Sequence, residues 1–220
     1  MSLSRAIVIY LALTLPGGPA LAEDQPTDSS KSGAGSGSID VLATAQELAA
    51  TTYAGFRYGP NPSRRQIDCT QFLQAVVERV IGRELTDQES QAVLISGLPM
   101  RKLDSVVAAE DERTRGVQYA LTRVLPIGRA IPADSAKPGD LIQYWISSSS
   151  GHYKGHAAII ESVSREDDVP VARLYGSHKT LGRIGTAVDR SGNELRLKLK
   201  GKDRKVYLVR VEPALIPTIR

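Results

Sequence analysis

The chain has 220 residues, of which 28 are basic and 24 acidic, for a formal charge of +4 at neutral pH. That balance is too mild to mark a nucleic-acid binder, and no nucleic-acid motif is present. A single cysteine excludes an intramolecular disulfide, and three histidines without paired-ligand spacing suggest neither a metal nor any other cofactor.

Arg5 precedes an apolar run from Ala6 to Leu15, broken by Pro16-Gly17-Gly18-Pro19 and followed by Ala20-Leu21-Ala22. The run is too short to span a bilayer. It reads as a secretory signal cut after Ala22, which predicts a periplasmic or secreted protein with no stable membrane anchor. Glu23 to Ser38 holds Ser, Gly, Asp and Pro with no apolar residue larger than alanine. Such a segment cannot offset its ordering entropy by burial and predicts a flexible tether. Ile39 to Arg220 has the length of one domain with one core.

Ile39 to Ala54 predicts a first helix, capped by Asp40, with Val41, Leu42, Ala45, Leu48 and Ala49 at helical spacing. Gly55 to Ile67, with two prolines and two glycines, reads as a loop. A second helix starts at Asp68-Cys69-Thr70. Its apolar face of Phe72, Leu73, Val76, Val77, Val80 and Ile81 predicts a buried central helix that stops at Gly82. Leu85 to Leu125 reads as mixed helix and loop, with a Thr86/Glu89 capping box and a short helix at Gln118 to Val124. Ala109 to Gly116 reads as its exposed middle.

From Lys137 the pattern turns to strands: Asp140 to Ile146, Ala157 to Val163, and Val171 to Tyr175 after an acidic turn. Glu194 to Lys200 alternates through Leu195, Leu197 and Leu199, and Lys205 to Val211 answers it across Gly201-Lys202-Asp203 as a hairpin. The lysines and arginine from Lys198 to Lys205 either guard that solvated edge or attract an anionic polymer. Helices followed by antiparallel strands make an α+β domain.

An unpaired thiol in an oxidising compartment is a liability, so Cys69 is either reactive or a small buried hydrophobe. At a helix N-terminus the free N–H groups and the dipole would favour a thiolate and offer oxyanion donors. Asp68 fits an N-cap, and its charge beside the thiol makes its role structural. His156 opens the strand Ala157 to Ile160. His178 follows the next strand, so antiparallel pairing would bring it to His156 as the third member of a triad. His152 lies in a Ser/Gly loop and reads as solvated.

Four segments in order, Phe56-Arg57-Tyr58-Gly59, Asp68-Cys69-Thr70-Gln71-Phe72, Pro138-Gly139-Asp140-Leu141-Ile142 and Gly155-His156-Ala157-Ala158-Ile159-Ile160, resemble the NlpC/P60 family. The resemblance runs from about Tyr53 to Val188, and the order Cys then His differs from the permuted relatives. It implies a papain-like α+β core whose N-terminal helix carries the nucleophile against an antiparallel sheet. It further implies Cys69 as nucleophile, His156 as base, His178 as third polar residue, Tyr58 near the thiol, and the peptide stem of peptidoglycan as substrate. Two features depart from the family. Thr70-Gln71 stands where Ser-Gly is usual, and the stretch between Cys69 and His156 is long, which predicts a mainly helical insertion at about 85–132 along one wall of the cleft. The same parts would serve a CHAP-type amidase, an acyltransferase on another amide or ester, or a non-catalytic wall-binding domain.

Overall fold

The computed structural model describes residues 40–217 apart from residue 97. The expected export signal (1–22) and tether (23–38) lie outside the described residues.

The first helix, α1 (Val41–Ala50), starts where Asp40 accepts the N–H of Ala43 at 2.9 Å and buries Val41, Ala45 and Leu48. It ends four residues earlier than its apolar pattern suggests, because residues 51–55 turn away. The expected loop after it carries two short parallel strands, β1 (Arg57–Tyr58) and β2 (Gln66–Ile67), around a 3-10 turn at Pro62–Arg64. Two residues are too few to show a period, which is why the sequence hides them.

Next comes α2 (Cys69–Ile81). Asp68 accepts the N–H groups of Thr70 and Gln71 at 3.0 and 2.9 Å, and Gln71 accepts the N–H of Asp68 at 3.0 Å. This reciprocal box satisfies donors that the first turn would otherwise leave free. Phe72, Leu73, Val76, Val77 and Ile81 are buried, and Gly82 ends the helix in the left-handed region.

The long stretch between thiol and strands is helical as expected: α3 (Asp87–Leu94), α4 (Leu103–Ala108) and α5 (Val117–Tyr119), which runs on as a π-helical turn, Ala120–Val124. The Thr86/Glu89 capping box is formed. Its middle is exposed as expected at Ala109, Glu110, Glu112 and Arg113, but not throughout. Thr114 is wholly buried, and its carbonyl accepts the Trp145 indole N–H at 2.8 Å.

Strands then dominate: β3 (Gly128–Ile131), β4 (Leu141–Ser147), β5 (Tyr153–Glu166), β6 (Val169–His178), β7 (Arg183–Thr186), β8 (Arg196–Lys198) and β9 (Arg204–Val211). They form one nine-stranded sheet in the order β2-β1-β7-β6-β5-β4-β9-β3, with β8 also on β6, and every pairing but β1–β2 is antiparallel. The fold is mixed α+β. The β5–β6 hairpin turns at Asp167-Asp168, both with positive φ, as a tight hairpin whose twist matches its strands requires.

The expected β8–β9 hairpin is not formed. Val171 pairs with Lys198 on β8, whereas β9 runs between β4 and β3. Leu197 and Leu199 are buried against β6 and its neighbours, and this burial separates the two strands. Of the lysines there, Lys205 bonds Glu110 at 2.6 Å and Lys200 bonds Asp134 at 2.5 Å, while Lys198 is exposed on β8, which among the described residues pairs with β6 alone.

Side chains alternate across the sheet. Leu141, Ala157, Ile159 and Val209 face α1, α2 and α5, while Ile142, Tyr144, Ala158, Ile160 and Leu174 face a second apolar cluster with Ala187, Leu197 and Leu199. Helices cover one face, and the returning chain covers the other.

Candidate active site

Cys69 is the first residue of α2, directly after the cap, and its side chain is half-buried. It lines a cavity of about 240 Å³ together with Thr70, His156 and Ala157, Gln143 and Trp145 of β4, Gly155 of β5, and Leu94, Ile95 and Leu103 of the insertion. The sheet forms the floor, the helix start one wall, and the insertion the other.

The backbone N–H groups of Ala157, Thr70 and Cys69 itself all favour a charged sulfur. This puts the thiol against the peptide that follows His156. Burial outweighs those donors, however, and the neighbouring Asp68 charge adds to it, so the thiol pKa is raised above its ordinary value. The expectation that the helix start alone yields thiolate is therefore corrected: desolvation is the larger effect.

His156 and His178 are joined. Nε2 of His156 and Nδ1 of His178 lie 2.7 Å apart, with ring centroids 4.8 Å apart. The β5–β6 register explains why. Ile159 is opposite Tyr175, and continuing that register sets His156 opposite His178. Both imidazole pKa values are pushed well below the usual range, for His156 by burial and then by His178, and for His178 by burial. At neutral pH the pair is uncharged. One proton bridges the 2.7 Å contact. If His156 donates from Nε2, its Nδ1 is a free acceptor, and His178 carries its own proton on Nε2. That atom is buried without a well-formed hydrogen bond, while the carbonyls of Leu174 and Gly185 favour a proton on the ring.

His156 also packs edge-on to Tyr144 and lines a second, more polar cavity with His178, Lys179 and Arg190. Among the described residues no hydrogen bond joins the Cys69 sulfur to His156. Tyr58 is half-buried on β1; burial and then the nearby Cys69 and Asp68 charges push its phenol up to about 12, but it does not line the thiol cavity. His152 is exposed and paired to Asp104 at 2.8 Å, outside the site.

Asp140, from the Pro-Gly-Asp segment, is structural. It is buried and holds Arg210 through two bonds of 2.7 and 2.8 Å. Gln143, Trp145 and Ile95 were not visible as site residues. Gly155 marks Trp145 alone: a Cβ there would sit 2.4 Å from a Trp145 ring carbon, so the indole lies across that glycine. Among the described residues no group of three or more His, Cys, Asp or Glu side chains is placed to hold a metal ion, and no helix is long and apolar enough to cross a membrane.

Compared with known proteins, the sequence matches no family model and no curated protein. The chemistry of the site therefore rests on its own geometry.

Proposed function

We propose that this chain is an exported thiol hydrolase with a papain-like core of the NlpC/P60 type, which cleaves peptide bonds in the stem peptides of peptidoglycan in the periplasm or outside the cell. The observation that carries the reading is the cavity shared by a helix-start thiol and a strand-start imidazole that is itself bonded to a second imidazole.

In this mechanism His156 Nδ1 takes the Cys69 proton as the sulfur attacks the carbonyl carbon. The developing oxyanion is met by the backbone N–H of Cys69, since Asp68 already holds those of Thr70 and Gln71. The tetrahedral intermediate collapses as His156 returns that proton to the leaving amine, and an acyl-enzyme remains. Water, deprotonated by His156, then attacks the acyl carbon, and the thiol is regenerated with release of a carboxylic acid. His178 orients His156 and disperses its transient charge. Sulfur and ring must close to hydrogen-bond reach for the first transfer, a tightening common when substrate enters a thiol site. Residues 1–22 act as the export signal and 23–38 as the tether.

The test is digestion of purified peptidoglycan by the mature protein and by Cys69→Ala, with fragments identified by mass. New amine and carboxylate ends released by the wild type alone support the reading. Intact peptidoglycan with both proteins would overturn it.

A further inference from the structure

Apart from Cys69 and His156, whose ring burial keeps uncharged, the cavity beside the thiol has no acidic or basic side chain in its lining. Its walls are Leu94, Ile95 and Leu103 above and Trp145, Gly155 and Ala157 below, and its polar members, Gln143 among them, are neutral. An ion placed there would lose its hydration with no countercharge. An uncharged alkyl group would instead bury its surface against the same walls.

One residue of its lining is shared with a neighbouring cavity. Ile95 caps the C-terminus of α3 at φ 57° and ψ 25°, a region where glycine or asparagine is usual and a β-branched residue is an outlier. Such a conformation persists only where the surroundings hold it. Here the Ile95 Cδ1 is pressed towards Gly116: a Cβ on that glycine would lie 2.9 Å from it. Beyond Ile95 lies another cavity of about 320 Å³, walled by Ala92, Leu98 and Tyr119 and, on its solvent side, by Gln88, Gln91 and Arg113, and Ile95 lines both. The strained residue is the partition between them.

Resting on the reading of Cys69 as nucleophile, we propose that this cavity receives one uncharged, aliphatic group of the substrate and that Ile95 sets its depth. The insertion then selects the residue beside the scissile bond by charge and by length.

The test uses the mature protein and a series of N-alkyl iodoacetamides of increasing chain length, with iodoacetamide and iodoacetate as references. Each rate is divided by the rate with glutathione. Iodoacetate is expected to react at least about tenfold more slowly than iodoacetamide on this scale, because its charge must be desolvated. Alkyl probes should react well up to one chain length and then fall by about tenfold once the cavity is overfilled. Ile95→Gly, whose backbone suits the left-handed region, should move that limit to longer chains, each rate being read against the same variant's iodoacetamide rate. Ile95→Val should move it less, and Ala92→Phe added to Ile95→Gly should move it back. Val guards against a glycine variant that fails to fold.

Equal rates for iodoacetate and iodoacetamide, no length limit, or an unmoved limit in a folded Ile95 variant would overturn the pocket. Failure of Cys69 to react even with iodoacetamide would sink the thiol reading itself and the pocket with it.

Discussion

A thiol and an imidazole can rest as a neutral pair or as an ion pair, and the surroundings of Cys69 and His156 decide for the neutral one. Burial raises the thiol and lowers the ring, so neither carries charge at pH 7. Alkylation of Cys69 by iodoacetamide is therefore expected to climb through a pKa above 9.0; a flat profile from pH 5 upward would mean a resting ion pair instead. Asp68 offers a second handle. Its carboxylate both caps α2 and opposes ionisation of the thiol. Asp68→Asn keeps a capping oxygen while removing the charge, so it should speed alkylation at pH 8 with little change in Tm. Asp68→Ala loses the cap and should cost about 1 kcal/mol of stability in a denaturant titration. Among the histidines, His156→Ala should lower kcat/KM by about three orders of magnitude or more, His178→Ala by less, and His152→Ala hardly at all. These residues were legible because each stands where a strong pattern begins or ends. Gln143 and Trp145 were not, since inside an apolar strand they look like ordinary core.

Among the elements, the insertion is the one whose attachment matters to the site. Asp104 of α4 accepts the Tyr153 N–H at 2.7 Å and bonds His152 at 2.8 Å, and Glu110 holds Lys205. Asp104→Ala cuts the first of these ties, so amide exchange in α4 should quicken while global Tm moves little; an unchanged exchange pattern would show that apolar packing alone holds the insertion. The Asp140–Arg210 pair is another matter. It links the turn before β4 to β9, and Asp140→Ala leaves a partly buried guanidinium unpaired. That should cost about 3 kcal/mol, read as a lower denaturation midpoint. The sequence shows α2, β4, β5 and β6 clearly because each buries a continuous apolar face. It hides β3 and β7, whose four residues each include a glycine, and it shortens β5, whose first residues from Tyr153 to His156 are polar or small although they pair with β4. The β8–β9 hairpin misled for a different reason: alternation reports that a strand has a buried side, not which strand lies beside it.

For the molecule as a whole, one sheet separates two apolar clusters, and its charged and titrating groups set how it meets acid. The two buried imidazoles bind protons less readily folded than unfolded, so the unfolded chain gains more protons below the ordinary histidine value of 6.5. Stability should therefore fall as pH drops from about 6.5 towards the lowered folded values. Glu89, held by Arg83 to about 2 from 4.5, acts later, since its contribution is lost only as pH falls from 4.5 through about 2. Tm recorded against pH should thus begin to drop near 6.5 in the wild type. In a His156→Gln, His178→Gln double variant the drop should start below 4.5; coincident curves would mean that the pair does not govern acid sensitivity. Trp145 allows such measurements without labels. It is the chain's one tryptophan, nearly dry, bonded to Thr114 and lying across Gly155 in the wall of the thiol cavity. All indole emission from this protein therefore originates beside the Cys69 sulfur, so ultraviolet fluorescence becomes a built-in optical gauge of whether that cavity is wet, filled or unfolded.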